Sequence, residues 1–383
     1  MIPFSKKLVK SIIIIACLLG LSLAGAAPPP INTNTGFNSG HSKMIVYPYL
    51  SPEDYQFKIT PGNQKGIYLT GYSMASRDKR QQSYELIDQT ELNAIVFNAK
   101  DDSGHIDYDT RNSMARQIGA DLGLYSLKQV IGEMDRKNIY SIARVVLFKD
   151  PVLAQSMPEL AIIDSRTNQP LNSEGSYWPD LYSPRVWQYN IDIAIELAEA
   201  GVDEIQFDYI RAPARGNVSY ALYTHNLNQQ TKVEAITGFL EQVREQTEKY
   251  DVKISADVFG FTLLKTDDQG IGQQLEAILP YLDYLYPMPY PSHYPPYFMG
   301  FPLPEAEPYQ VISYTLEKGL DRSNNQDCLI IPWIQAFGLY MDYTPYHIMQ
   351  QIEASRDLGI EGYLCWNARN NYSLVQQALN SQP

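Results

Sequence analysis

From residue 66 to residue 379 the sequence alternates short apolar runs with longer amphipathic ones, and this alternation restricts the fold more than any other feature. A short run rich in β-branched and aromatic residues reads as a buried strand. Apolar positions recurring every three or four residues read as a helix packed along one face. Strands are expected at 66–72, 94–100, 140–148, 204–210, 253–259, 284–288, 329–336 and 362–367. The intervening segments 83–91, 124–137, 186–200, 233–249, 275–282, 308–317, 346–358 and 373–379 read as helices. In the second of these, Leu124, Leu127, Val130, Ile131 and Met134 fall on one helical face. Strictly alternating strands and helices imply a parallel sheet with helical crossovers. Eight such units in about 320 residues fit an α/β fold of the (β/α)8 TIM-barrel type, spanning 61–381. A doubly wound open sheet is the alternative, but Gly66 and Gly71 of the first strand lack G-x-G-x-x-G spacing.

The N-terminus is of another kind. Lys6, Lys7 and Lys10 precede an apolar run from Ile12 to Leu23 and then Ala24-Gly25-Ala26-Ala27. This is the pattern of a signal peptide over 1–26, cleaved after Ala26, whose apolar core is short for a membrane span. An uncleaved anchor, or lipidation at Cys17, is the alternative. Residues 27–60, rich in Pro, Asn, Gly and Ser, read as a linker. Export to the periplasm or the extracellular space is therefore expected, with no membrane association after cleavage. The net charge is −13 and basic residues cluster only at the extreme N-terminus, which argues against a nucleic-acid partner. The 29 tyrosines suit a surface that stacks on and hydrogen-bonds a neutral polar ligand, although tyrosines also fill cores. Cys328 and Cys365 sit among apolar neighbours and are expected to be buried free thiols. Neither a metal-ligand spacing nor a G-x-S-x-G motif is present, so no metal and no Ser-His-Asp chemistry is expected.

Catalytic groups of barrel enzymes sit at the carboxyl ends of the strands. Strand four, Asp203-Glu204-Ile205-Gln206-Phe207-Asp208-Tyr209-Ile210-Arg211, carries a carboxylate there. Side chains alternate along a strand, so Gln206 and Asp208 share the inner face while Phe207 and Tyr209 are expected to pack on helices. Strand five offers Ser255, Asp257 and Phe259 with the same alternation. Neighbouring strands lie about 4.8 Å apart, so inward carboxylates at one height are roughly 5–6 Å apart, which suits a retaining glycosidase. A shift of one layer lengthens that towards the inverting range, and the sequence leaves the height open. Two close carboxylates also push each other's pKa values apart, so that one stays protonated. The plainer readings are an Asp208–Arg211 salt bridge, and an Asp257 satisfied by backbone or by Lys100.

By the same parity Asn98 and Lys100 on strand two, Trp333 and Gln335 on strand seven, and Trp366 and Asn367 on strand eight are candidates to position a substrate. Enlarged loops are expected after strands three and six, at 149–185 and 287–307. The first carries Tyr177-Trp178-Pro179-Asp180-Leu181-Tyr182 and the second Tyr290 and His293. Loops this rich in aromatics and prolines form either rigid platforms for a ligand or a lid on the barrel.

Four stretches together resemble a bacterial family of glycoside hydrolase domains without an assigned activity. They are Phe207-Asp208-Tyr209-Ile210-Arg211-Ala212-Pro213, Ser255-Ala256-Asp257-Val258-Phe259-Gly260, Pro287-Met288-Pro289-Tyr290-Pro291-Ser292-His293-Tyr294 and Trp366-Asn367-Ala368. The resemblance covers 62–379 and implies a TIM barrel distantly related to α-amylase-like and other glycosidase clans. It also implies a carbohydrate substrate. In those clans strand four supplies an Asp nucleophile, which corresponds to Asp208. Their acid is often a Glu on strand five, where this chain has the shorter Asp257. Ala212 stands where the family usually has an aromatic. The expected activity is hydrolysis of O-glycosidic bonds in a cell-wall polysaccharide or exopolysaccharide, with Asp208 and Asp257 catalytic and no cofactor. Asn98, Lys100, Arg211, Tyr290, His293, Trp333, Gln335, Trp366 and Asn367 are the expected substrate-binding residues. A barrel that binds glycan without cleaving it is the alternative.

Overall fold

The computed structural model describes residues 59–250, 252–323 and 326–381, together with 24–25. The expected signal peptide and linker otherwise lie outside the described residues. Among the described residues, no helix is long and apolar enough to cross a membrane.

Eight parallel strands follow one another around a ring. They are β1 (Lys65–Leu69), β2 (Ala94–Lys100), β3 (Tyr140–Val146), β4 (Glu204–Asp208), β5 (Lys253–Phe259), β6 (Tyr284–Met288), β7 and β8 (Tyr363–Trp366). β7 comes in two pieces, Leu329–Ile330 and Trp333–Gln335, because Pro332 between them has no N–H for the ladder. The first piece pairs with β6, the second with β8, and β8 pairs with β1, which closes the barrel. Helices α1 (Arg77–Asp88), α2 (Leu127–Arg136), α3 (Pro184–Glu199) and α4 (Lys232–Thr247) follow the first four strands. A short α5 (Leu275–Ile278), then α6 (Pro308–Ser323), α7 (Pro345–Arg356) and α8 (Ser373–Asn380), follow the others.

Local chemistry explains these elements. The Ser76 side chain accepts the Lys79 N–H to start α1, and Thr231 with Glu234 forms a capping box on α4. α2 begins at Leu127 and buries Leu127, Val130, Ile131 and Met134, the expected stripe. It starts later than its periodicity suggests, because 121–125 extends as a strand beside Ile106–Tyr108. Outward-facing strand residues meet these helices. Phe207 of β4 packs edge-on against Phe239 of α4, ring centroids 5.1 Å apart, and burying such a side chain contributes roughly 2–3 kcal/mol.

The barrel interior is a second, separate cluster that includes Tyr68, Ile142, Tyr286, Trp333 and Trp366. At its lower end Glu204 accepts from Tyr286 at 2.9 Å and from Gln64 at 3.3 Å. Burial raises the Glu204 pKa to about 8, against the pull of those hydrogen bonds. Cys328 and Cys365 are buried and unpaired, as expected.

The connections after β3 and β6 are enlarged, and those after β2 and β4 are long as well. The β3 loop contributes Ile163–Asp164 and Gln169–Pro170, and the β4 loop Ala221–Leu222, to one small three-stranded sheet. The two loops are thereby fastened into a single wall above the carboxyl ends of the strands.

Candidate active site

Asp208 ends β4 and is 3% exposed. Its partner is Arg144 on the inner face of β3, Nη2 to Oδ2 at 3.0 Å, rather than Arg211. Arg144 also donates to Asn98 Oδ1 at 2.5 Å, and its guanidinium lies over the rings of Tyr68 and Trp366. Those two rings stack, centroids 4.0 Å apart. Sequence reasoning passed over Arg144, although the parity of Tyr140 and Ile142 places it on the inner face.

Asp257 on β5 is fully buried. Its Oδ1 accepts from Trp333 Nε1 at 3.1 Å, while Oδ2 makes no hydrogen bond among the described residues. Burial pushes its carboxyl well above the usual range and the neighbouring Asp208 charge pushes it further, with Arg144 opposing in part. Burial and the Asp208 charge thus both favour the protonated form of Asp257. The β4–β5 ladder runs from Glu204 opposite Lys253 to Phe207 opposite Ala256, and Asp208 and Asp257 are the next residues beyond that last pair. One strand spacing is about 4.8 Å.

A cleft of about 480 Å³ opens above this pair, over the β2 to β6 loops. Tyr290, Met288, Phe259 and Tyr209 line it, whereas Asp208 and Asp257 do not reach its surface. Tyr209 extends an expectation. Its φ of 46° turns the chain at the end of β4, and its side chain packs in the outer core with Phe207 as expected while also lining the cleft. There its hydroxyl accepts from Lys149 Nζ at 3.1 Å and its ring meets Trp178 edge-on. Lys149 also pairs with Asp102 at the rim. Burial favours the neutral form of Asp102, but the charges of Lys149 and Arg144 outweigh it and hold the pKa below its usual value. Gly260 admits the β6 loop to this surface, since a Cβ there would lie 2.8 Å from Pro289 Cα.

Tyr290, His293 and Arg211 all line the cleft. The Tyr290 hydroxyl and His293 Nε2 make no hydrogen bond among the described residues. Burial, helped by the charge of Arg215, lowers the His293 pKa to about 4, so the imidazole is neutral at pH 7. Arg211 donates to the Ala212 carbonyl and is ringed by Trp178, Tyr209 and Phe259.

The remaining candidates are held elsewhere. Lys100 is buried away from the cleft, its Nζ 2.7 Å from Asp150 and 3.0 Å from Asn190 of α3. The β2–β3 register shifts between Asn98 and Lys100, which breaks the inward–outward parity that suggested a cleft residue. Gln335 accepts from the Ser292 N–H and donates to Glu305 and to the Phe337 carbonyl, so it fastens loops together. Asn367 donates to the Ala336 carbonyl and accepts from the Arg369 N–H, pinning a turn. Trp333 orients Asp257, and Trp366 stacks beneath Arg144.

The family described as "Putative glycosyl hydrolase domain" matches residues 66–372. The chain belongs to this family. No curated protein matches the sequence. Among solved structures, a hypothetical protein from Ruminiclostridium thermocellum ATCC 27405 is 37% identical over 47% of this chain and 92% of its own, with TM-score 0.44. The PgaB (BpsB) glycoside hydrolase domain from Bordetella bronchiseptica is 13% identical over 84% of this chain and 99% of its own, with TM-score 0.59. A β-galactosidase from Bacillus circulans sp. alkalophilus is 12% identical over 80% of this chain and 50% of its own, with TM-score 0.50. At such identities the likeness to the last two is one of fold, and that fold is a TIM-barrel-like α/β architecture.

Proposed function

We propose that the chain is an exported enzyme that hydrolyses O-glycosidic bonds of a cell-wall polysaccharide or exopolysaccharide at the carboxyl end of the barrel. The observation that carries this reading is the asymmetric carboxylate pair. Asp208, paired with Arg144, is set to act as the carboxylate nucleophile. Asp257, its protonated form favoured by burial and its carboxyl oriented by Trp333, is set to donate a proton to the leaving oxygen. Side chains on adjacent strands suit the roughly 5 Å separation of a retaining mechanism. In that mechanism Asp208 forms a glycosyl ester and the aglycone leaves with the Asp257 proton. The Asp257 carboxylate then takes a proton from the water that cleaves the ester.

The second reading, a barrel that binds glycan without cleaving it, draws on the complete burial of Asp257. For catalysis the side chains of the cleft floor, Tyr290 foremost, have to move to admit a sugar. A polysaccharide panel assayed by reducing-end release with wild type, Asp208→Asn and Asp257→Asn separates the two. Release by wild type that both substitutions abolish is the expected result. Release that survives Asp208→Asn refutes the assignment, and glycan binding by wild type without any release favours the second reading.

A further inference from the structure

We infer that the glycan taken by this cleft carries an anionic group, a uronic-acid carboxylate or a sulfate ester, seated on Arg211 and Arg215. The inference rests on the glycan-cleft reading above and specifies its substrate class. The chain as a whole is acidic, with net charge −13. Its cleft is not. Lys149 is neutralised there by Asp102, which leaves Arg211, Arg215 and Glu174 among the lining residues.

Arg211 is the informative group. It is 6% exposed, yet among the described residues no carboxylate lies within ion-pair distance of it. A guanidinium has five N–H donors, and the hydrogen bond found for this one runs from Nη1 to the Ala212 carbonyl at 3.0 Å. Three aromatic rings surround the group with centroids 4.7–5.0 Å from Cζ. Rings stabilise a cation through their faces but accept few of its hydrogen bonds. A buried cation without an anionic partner is unfavourable, and burial lowers the Arg211 pKa accordingly. Elsewhere the protein does not tolerate this: buried Arg144 and Lys100 each have an aspartate within 3.0 Å. Since Arg211 lines the cleft, a ligand there is what can supply its missing acceptor.

A second cation stands beside it. Arg215 is exposed, lines the same cleft and is near enough to influence both Arg211 and His293. Its backbone is held in place, because its carbonyl accepts from the Ser173 hydroxyl at 2.7 Å. A planar carboxylate or a sulfate matches guanidinium donors two at a time. The rings of Trp178 and Phe259, also on the cleft wall, offer stacking faces to the sugar that carries the anion.

The test is calorimetric binding of polygalacturonate, alginate and a sulfated galactan, each beside its carboxyl-reduced or desulfated counterpart, at low and high salt. The expected result is that at least one anionic member binds ten-fold or more tightly than its neutral counterpart, with a preference that salt weakens. Whether the uronates or the sulfated galactan show it identifies the anion. Arg215→Gln is expected to reduce the preference several-fold at unchanged Tm, and Arg211→Gln to abolish it. A neutral glycan bound or cleaved as well as its anionic form overturns this inference and leaves the glycan cleft standing. So does an anionic preference that survives both substitutions. Absence of binding by every glycan, neutral or anionic, overturns both.

Discussion

The two halves of the barrel mouth carry similar residues and use them in opposite ways. Over β2 to β6, long loops frame a cleft in which, among the described residues, the Tyr290 hydroxyl and His293 Nε2 make no hydrogen bond and Arg211 has no carboxylate within ion-pair distance. Over β7 and β8, the candidate amides are engaged within the protein: Gln335 with Ser292 and Glu305, Asn367 with Ala336 and Arg369. An inward polar residue at a strand end is thus a poor guide to function by itself. What separates a substrate-facing group from a structural one is whether the protein already satisfies its hydrogen bonds.

The largest effect expected on this contrast comes from Asp208→Asn set against Asn367→Ala. The first is expected to lower glycan turnover by about 10³-fold or more, roughly 4 kcal/mol of barrier, and the second by less than about three-fold. Initial rates on the best polysaccharide of the panel decide it, and comparable losses at the two sites would erase the distinction. Next is Lys100→Met, which strands the buried Asp150 carboxylate. It is expected to cost about 3–5 kcal/mol of stability, read from denaturant unfolding, and to leave kcat of the folded protein unchanged. A selective loss of kcat at intact stability would return Lys100 to the cleft.

Gln335→Ala removes the donor to the buried Glu305 and the acceptor of the Ser292 N–H. A loss of about 2–3 kcal/mol is expected, with KM little changed. The smallest effect is confined to pH. Glu204 binds its proton up to about pH 8 in the folded chain, whereas the unfolded chain releases it near the ordinary glutamate value. The folded state therefore holds more protons between those values, and stability falls as pH rises through them. Glu204→Gln keeps a neutral side chain at every pH and is expected to flatten that part of the Tm–pH profile. An unchanged slope would mean that Glu204 is ionised in the barrel.

The order of elements was legible because each strand and helix announces itself through local periodicity. Strand parity likewise placed Asp208 and Asp257 on the inner face. The same rule fails where the backbone departs from regular geometry. A register shift in β2 takes Lys100 out of the pattern, and Tyr209, at a left-handed φ, lines the cleft as well as packing in the outer core. Neither position carries a glycine or proline to signal the departure.

By itself, then, the sequence determined the (β/α)8 barrel, its closure order and the family, since hydrophobic periodicity is a property of neighbours along the chain. Tertiary structure alone decided the partners of Asp208 and Asp257 and the position of the cleft. Those depend on register and on contacts between residues far apart in the chain, such as Arg144 with Asp208 and Trp333 with Asp257. The upward shift of the Asp257 pKa belongs with them, because desolvation arises only when the barrel closes around it.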